Sequence, residues 1–367
     1  MHLDSVALSY LLAFLGFAAL IVLHELGHFV VAKAVGMRVE RFSLFFPPHI
    51  WKRTRGETEY AIGVVPLGGY VRITGMNPNE EIPPEVEHRA YFRMDVWRRV
   101  VVIAAGPLVN VFIAFAILFG LFLHFGVTKS RTSVDRIERG SVAAKVLRQG
   151  DLLVSVDGVT GDATALSKQV ASHKCAGRQV TGCDAATPAT LVVRRAGKLV
   201  TIKAAPRYDA APRIQRTRLG FGFGSTHRDV GVGGAARESV SEVGRVSKAT
   251  VSAIGKVIYD KQARKQVSGV VGSYEYTRKS IEFDWAQALN VLAILSLSLA
   301  LVNLFPFLPL DGGHIFWALA EKVRGKAIPY RVLERASVVG FLLVMMLFAV
   351  GLSNDIGHLR GAGFQVR

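Results

Sequence analysis

Cysteine is scarce. Cys175 and Cys183 are the only two in 367 residues, and no C-x-x-C pair exists, which excludes a cysteine-built structural zinc site. Acidic residues are also short, 28 Asp and Glu against 45 Lys and Arg, for a formal net charge of +17. No Lys or Arg precedes the first long apolar run, so the positive n-region of a cleaved signal peptide is missing. Zinc-finger spacing is absent, and no basic run is interleaved with aromatics. The positive charge is therefore not a nucleic-acid footprint, and no nucleic-acid partner is expected.

What the chain has is apolar length. Half of it is hydrophobic, concentrated in runs at about 8–34, 100–125, 285–307 and 336–352. About 20 apolar residues cross a hydrocarbon core, so these runs predict four transmembrane helices. Many basic residues flank the runs, where they anchor helices to anionic lipid and fix topology. The loops after the first and third spans carry clusters such as Arg38, Arg41, Lys52 and Arg53, and Lys322, Arg324 and Lys326. Both loops should be cytoplasmic, leaving the long central insertion and both chain ends outside. The expected location is a cell membrane, crossed several times, with the catalytic groups toward the cytoplasmic side.

The first span contains His24-Glu25-Leu26-Gly27-His28. Positions i and i+4 share one helical face, so His24 and His28 can grip one metal ion. Imidazole nitrogens suit zinc. Glu25 is placed to act as general base and then as proton donor to a leaving amine. Charged groups at the centre of a span cost roughly 2.5–3.5 kcal/mol each and are functional by default. A catalytic zinc needs a third protein ligand and one open position. Asp311 is the best candidate, because Pro306 and Pro309 break the chain just after the third span. Irregular backbone at that depth must be buried in protein or line a wet cavity. His314 is a weaker candidate. A membrane-anchored protease acting on soluble proteins would need a ligand glutamate on a second helix outside the membrane, and no such motif is found.

Two further regions are expected to handle peptides, the alternatives being a plain cytoplasmic hairpin for the first and a spacer domain for the second. Residues 57–74 read as short strands around a Gly-rich turn, whose exposed edge can pair with an unwound substrate. Residues 128–205 look like one PDZ domain, from Ser141-Val142-Ala143-Ala144, Gly150-Asp151-Leu152-Leu153 and Val156-Asp157-Gly158. Such a domain binds extended peptide at a strand edge. Cys175 and Cys183 bracket a loop in it and should be disulfide-bonded outside the cytoplasm. Residues 235–262 carry a helical stripe of Val240, Val243, Val246, Ile254, Val257 and Ile258, fitting a helix on the membrane surface or one packed on the PDZ domain.

With HELGH at 24–28, Asn303 to His314, Pro66-Leu67-Gly68-Gly69-Tyr70-Val71 and Gly106-Pro107-Leu108-Val109-Asn110 in order, the chain resembles the site-2 proteases. These are intramembrane zinc metalloproteases, and the likeness is to the bacterial sigma-E protease kind with a single PDZ domain. One departure is that Phe307 and Leu308 separate Pro306 from Pro309, where many members have a single residue. The resemblance implies one zinc per chain held by His24, His28 and Asp311, with Glu25 as base. It also implies support of substrate or oxyanion by Asn303, Asn110, Gly68 and Gly69, and a membrane-associated β-loop near residues 57–74. Implied partners are the lipid bilayer and single-span membrane proteins, an anti-sigma factor already shortened by another protease or a leftover signal peptide. A peptide ligand of the PDZ domain is a further one.

The expected fold class is thus a polytopic α-helical membrane protein of four transmembrane helices, with an inserted extracytoplasmic PDZ β-domain. The expected order is span one with HExxH at 1–35, a cytoplasmic loop with the β-hairpin at 36–99, and span two at 100–125. The PDZ domain follows at 126–207, then a region with the amphipathic helix at 208–284. Span three with the Asp-Gly motif at 285–312, a cytoplasmic loop at 313–335, span four at 336–353 and a tail at 354–367 complete it.

Overall fold

The computed structural model describes residues 2–77, 80–211, 214–260, 263–264 and 267–360. They form two compact units, 1–124 with 232–367 and the insertion 125–231.

In the first unit, α1 (His2–Ala34) leads into strands β1 (Val39–Arg55) and β2 (Thr58–Ile73), then a short α2 (Pro84–Glu87) and the long α3 (Val96–Phe125). After the insertion come α6 (Val232–Tyr259), α7 (Val270–Phe283), α8 (Trp285–Asn303), α9 (Asp311–Arg324) and α10 (Tyr330–Arg360). Helices α1, α3, α8 and α10 are long and apolar enough to cross a membrane. At about 1.5 Å per residue, α8 with its 19 residues is just long enough to span a core of about 30 Å. Large side chains such as Leu15, Phe112 and Leu342 are more than half exposed. In water that would be costly, but in lipid it is the expected outer surface.

Several boundaries differ from the sequence reading. The segment 313–335 is not a plain loop, because most of it is α9, ended by Gly325 in the left-handed conformation. The hairpin starts at Val39, well before residue 57, and its turn is at Gly56 (φ +64°), while Gly68 and Gly69 lie within β2. Its basic, Pro47-Pro48-containing first strand lacks the clean alternation by which strands are recognised. The segment Arg41–Leu44 pairs on one side with Gly69–Arg72 and on the other with Glu59–Ile62. Residues 69–73 therefore form an edge, paired on one side only among the described residues.

The stripe of α6 is buried against the spans: Val246 and Val243 join Ala114 and Leu118 of α3 and Ala293 and Leu297 of α8. Its Val240 is 63% exposed, so only part of the stripe is used, and Gln262 lies outside the described residues. Helix α7 starts on a cap from another helix, since fully buried Asp355 of α10 accepts from the main-chain N–H of Gly269 and Gly272 (3.0 and 2.8 Å). The expected tail from 354 is helical to Arg360, and residues 361–367 lie outside the described set.

The insertion holds β3 (Val127–Ile137), α4 (Ala143–Val146), β4 (Leu152–Val156), α5 (Ala163–Ser172), β5 (Ala189–Arg195), β6 (Lys198–Ala204), β7 (Arg207–Asp209), β8 (Arg216–Arg218) and β9 (Phe221–Arg228). Its five-stranded sheet runs β6-β5-β4-β3-β9 over a core that includes Val134, Leu153, Val156, Leu166, Leu191 and Val193. The unit does not end at residue 207, because β9 returns to pair along β3, from Val127↔Arg228 to Ile137↔Phe221. Without β9 the strand β3 would be an uncovered edge. Asp162 caps α5 by accepting from the Ala165 N–H at 2.8 Å. The Arg195 guanidinium, bonded to buried Asp151, holds that carboxyl below its usual range. Cys175 and Cys183 form a disulfide that closes the loop between them.

Candidate metal centre

Two elements far apart in the chain build the centre. His24 and His28 lie one turn apart on α1, and both are buried. Asp311 is the first residue of α9. The turn before it is held by glycine: a Cβ at Gly312 would lie 2.1 Å from the Leu304 carbonyl oxygen, and one at Gly313 would lie 2.4 Å from the Leu308 nitrogen. No side chain fits there, so the Asp-Gly-Gly run lets α9 begin directly under the end of α8.

The three donor atoms meet at closely matched distances. Asp311 Oδ2 is 3.2 Å from His24 Nε2 and 3.4 Å from His28 Nε2, and the two imidazole nitrogens are 3.3 Å apart. Tetrahedral ligands at about 2.0–2.1 Å from zinc stand about 3.3–3.4 Å from one another. The trio thus has the spacing of one face of such a tetrahedron. His28 Nδ1 lies 2.8 Å from the Val102 carbonyl of α3. A carbonyl only accepts, so Nδ1 carries the proton and the Nε2 lone pair is left for a metal. Two imidazoles and one carboxylate, mostly buried, with Oδ2 of Asp311 lacking any hydrogen bond among the described residues, fit a zinc ion and leave a fourth position open.

The surrounding residues are placed unequally. Glu25 lies between the two histidines in sequence but outside the ligand trio. A Cβ at Gly69 would lie 3.0 Å from Glu25 Cγ, so the edge segment of β2 passes directly beside this carboxylate. Asn303 Nδ2 lies 3.3 Å from His24 Nε2, at the rim of the centre. Gly68 instead faces the Phe46 ring, 2.9 Å from where its Cβ would be. Asn110 is fully buried on α3, where Ser296 Oγ of α8 donates to its main-chain carbonyl at 2.9 Å. Its carboxamide has no hydrogen-bond partner among the described residues. His314 sits one turn into α9 and is not among the three converging groups.

Sequence reasoning missed one contributor. Arg99, buried near the start of α3, donates to both carboxylate oxygens of Glu321 on α9 (2.9 and 3.0 Å) and stacks over the Tyr91 ring. The same first turns of α3 supply the Val102 carbonyl, so one helix braces both the His28 ring and the helix carrying Asp311. Glu321→Ala leaves a buried guanidinium uncompensated, which costs roughly 3–5 kcal/mol for a fully buried pair. The Glu321 side chain is 28% exposed, so about 2 kcal/mol is expected here after screening. The double variant Arg99→Met, Glu321→Met should lose less than Glu321→Ala. Thermal unfolding in detergent, with zinc content measured alongside, checks both.

Comparison with known proteins gives a consistent result. A model of "Peptidase family M50" matches residues 12–347. "Putative zinc metalloprotease R01501" of Rhizobium meliloti is 28% identical over 370 residues, covering 93% of this chain and 94% of that protein. "Regulator of sigma-E protease RseP" of Salmonella typhimurium is 29% identical over 437 residues, covering 93% of this chain and 96% of that protein.

Proposed function

The chain belongs to peptidase family M50, and from that membership we propose that it hydrolyses peptide bonds inside the transmembrane segments of other membrane proteins. It is a zinc metalloprotease of the site-2 type, a multi-pass protein of the inner membrane that acts in regulated intramembrane proteolysis. The observation that carries the proposal is the convergence of His24, His28 and Asp311 at tetrahedral spacing, on and beside helices able to cross a membrane.

His24, His28 and Asp311 would hold the zinc, which when bound would supply Lewis-acid polarisation of the scissile carbonyl and a more acidic water. Glu25 takes the proton of the attacking water on its carboxylate and returns it to the leaving nitrogen. His28 stays in its Nε2-ligating tautomer through the Nδ1–H bond to Val102. The Asn303 amide, 3.3 Å from His24 Nε2, is placed to donate to the oxygen on which charge develops. A helical substrate must unwind before its amide is attacked, and the edge at 69–73 offers it strand pairing beside Glu25.

The insertion acts as the PDZ domain in this scheme. The edge of β9 facing α5 borders a cleft of about 240 Å³ lined by Ser167, Val170, Leu219 and Phe221, suited to an extended peptide. Basic loops place the catalytic groups toward the cytoplasm, with the insertion and both ends outside. The substrate class is a single-span protein already shortened by another protease, such as an anti-sigma factor.

Purified protein incubated with a single-span substrate should release products whose masses put the cut within the apolar stretch. Zinc chelation should stop this and added zinc restore it. Cleavage only in water-exposed segments would overturn the proposal.

A further inference from the structure

A second cavity lies away from the ligand trio, between the turn after α8, helix α9 and helix α10. It measures about 490 Å³ and is walled by Phe307, Leu308, Phe316, Trp317 and Val339, with Arg335 as its single charged lining residue. That volume falls in the range of roughly 300–1,000 Å³ typical of small-ligand clefts. Phe316 and Trp317 meet edge to face, with ring centroids 5.4 Å apart. At its back, a Cβ on Gly340 would fall 1.7 Å from the Leu308 carbonyl oxygen, so α10 lies directly on the turn that leads to Asp311.

The charge in this cleft is placed at one end. Arg335 precedes Val339 by one helical turn, about 6 Å along α10. It is exposed and has neither ion pair nor hydrogen bond among the described residues. It stands in the first turns of α10 with Arg331 and Glu334, Lys326 lying just before the helix, and the apolar wall continues from it into the hydrophobic length of that span. A cation over an apolar slot, near the start of a span, complements a phospholipid: phosphate above, acyl chain below.

We propose that this cleft holds one anionic phospholipid, its phosphate on Arg335 and an acyl chain against Trp317, bracing the turn that delivers Asp311. The inference rests on reading α10 as a membrane span, not on the peptidase assignment, and its test reads binding rather than hydrolysis.

The full chain is reconstituted in phosphatidylcholine vesicles containing increasing fractions of lipid with brominated acyl chains, either phosphatidylglycerol or phosphatidylcholine. Bromine quenches nearby tryptophan, and subtracting the Trp317→Phe signal isolates Trp317. Half-maximal quenching of that component should need an about fivefold lower fraction of the brominated anionic lipid, the effect of one basic residue at an anionic surface. Arg335→Gln should bring the ratio to about one, and Arg335→Lys should keep most of the preference. Equal quenching by both lipids in the unaltered protein, quenching by neither, or a preference that survives Arg335→Gln would each overturn the proposal.

Discussion

Glu25→Gln is expected to lower hydrolysis of a single-span substrate by about 10²–10⁴-fold, the usual contribution of a positioned general base, while zinc content stays at that of the unaltered protein. The two halves of this expectation come from different observations. Glu25 is not one of the three converging donors, so the ligand set survives its neutralisation. Glutamine has nearly the same shape and still packs in the space that Gly69 leaves open beside Cγ, so the approach of β2 should be unchanged. What is lost is the capacity to accept a proton from water and return it to the leaving nitrogen. Atomic absorption on purified protein and product mass spectrometry are sufficient to separate binding from chemistry. Normal turnover in this variant would remove Glu25 from its assigned role, and loss of zinc would show that the carboxylate belongs to the ligand set. The inactive, zinc-loaded variant is also the natural trap for substrates.

The reason part of this centre was legible in sequence is that its local half is periodic. A helix fixes His24 and His28 on one face by spacing alone, and an apolar surrounding makes their presence costly without a partner. Asp311 was legible for a different reason, since two prolines after a hydrophobic run mark a backbone break at membrane depth. The remainder depends on contacts that no local pattern encodes. Arg99 and Glu321 are 222 positions apart, and each alone reads as a solvated charge next to a span. Strand β9 pairs with β3 across a long insertion; its alternating Phe221-Gly-Phe-Gly start is a strand signal, but nothing in it names the partner. Helix α9 was hidden by the basic cluster at its end, which reads as a cytoplasmic loop, although its Ile315–Ala320 run is apolar and Gly325 is a recognisable helix stop. The first half of the hairpin was hidden by Pro47 and Pro48, which argue against a strand wherever it cannot bend.

The residue whose replacement should do most damage for its size is Gly106, on the helix opposite the histidines. A Cβ there would fall 2.2 Å from His28 Nε2, 2.7 Å from Cε1 and 2.8 Å from Cδ2, well inside van der Waals contact. Val102, one turn earlier on α3, accepts the His28 Nδ1–H at 2.8 Å. The imidazole is thus held by the helix at one end of its ring and meets the bare backbone of the same helix at the other. An added methyl must push the ring away from α3, which pulls Nδ1 from its carbonyl and Nε2 from its place beside His24 and Asp311. Losing an outer hydrogen bond of this kind alone typically costs 10- to 100-fold in metal affinity, and displacing the ligand atom costs more. Gly106→Ala should therefore purify with little zinc and no measurable hydrolysis. Yet alanine is favoured over glycine within a helix by roughly 1 kcal/mol, so helical content should not fall. Gly120→Ala on the same helix is the matched comparison: its Cβ meets nothing within 4 Å, and it should keep zinc and turnover while gaining the same helical preference. If Gly106→Ala retained a full equivalent of zinc, the close fit between α3 and the His28 ring would not be what holds that ligand in place.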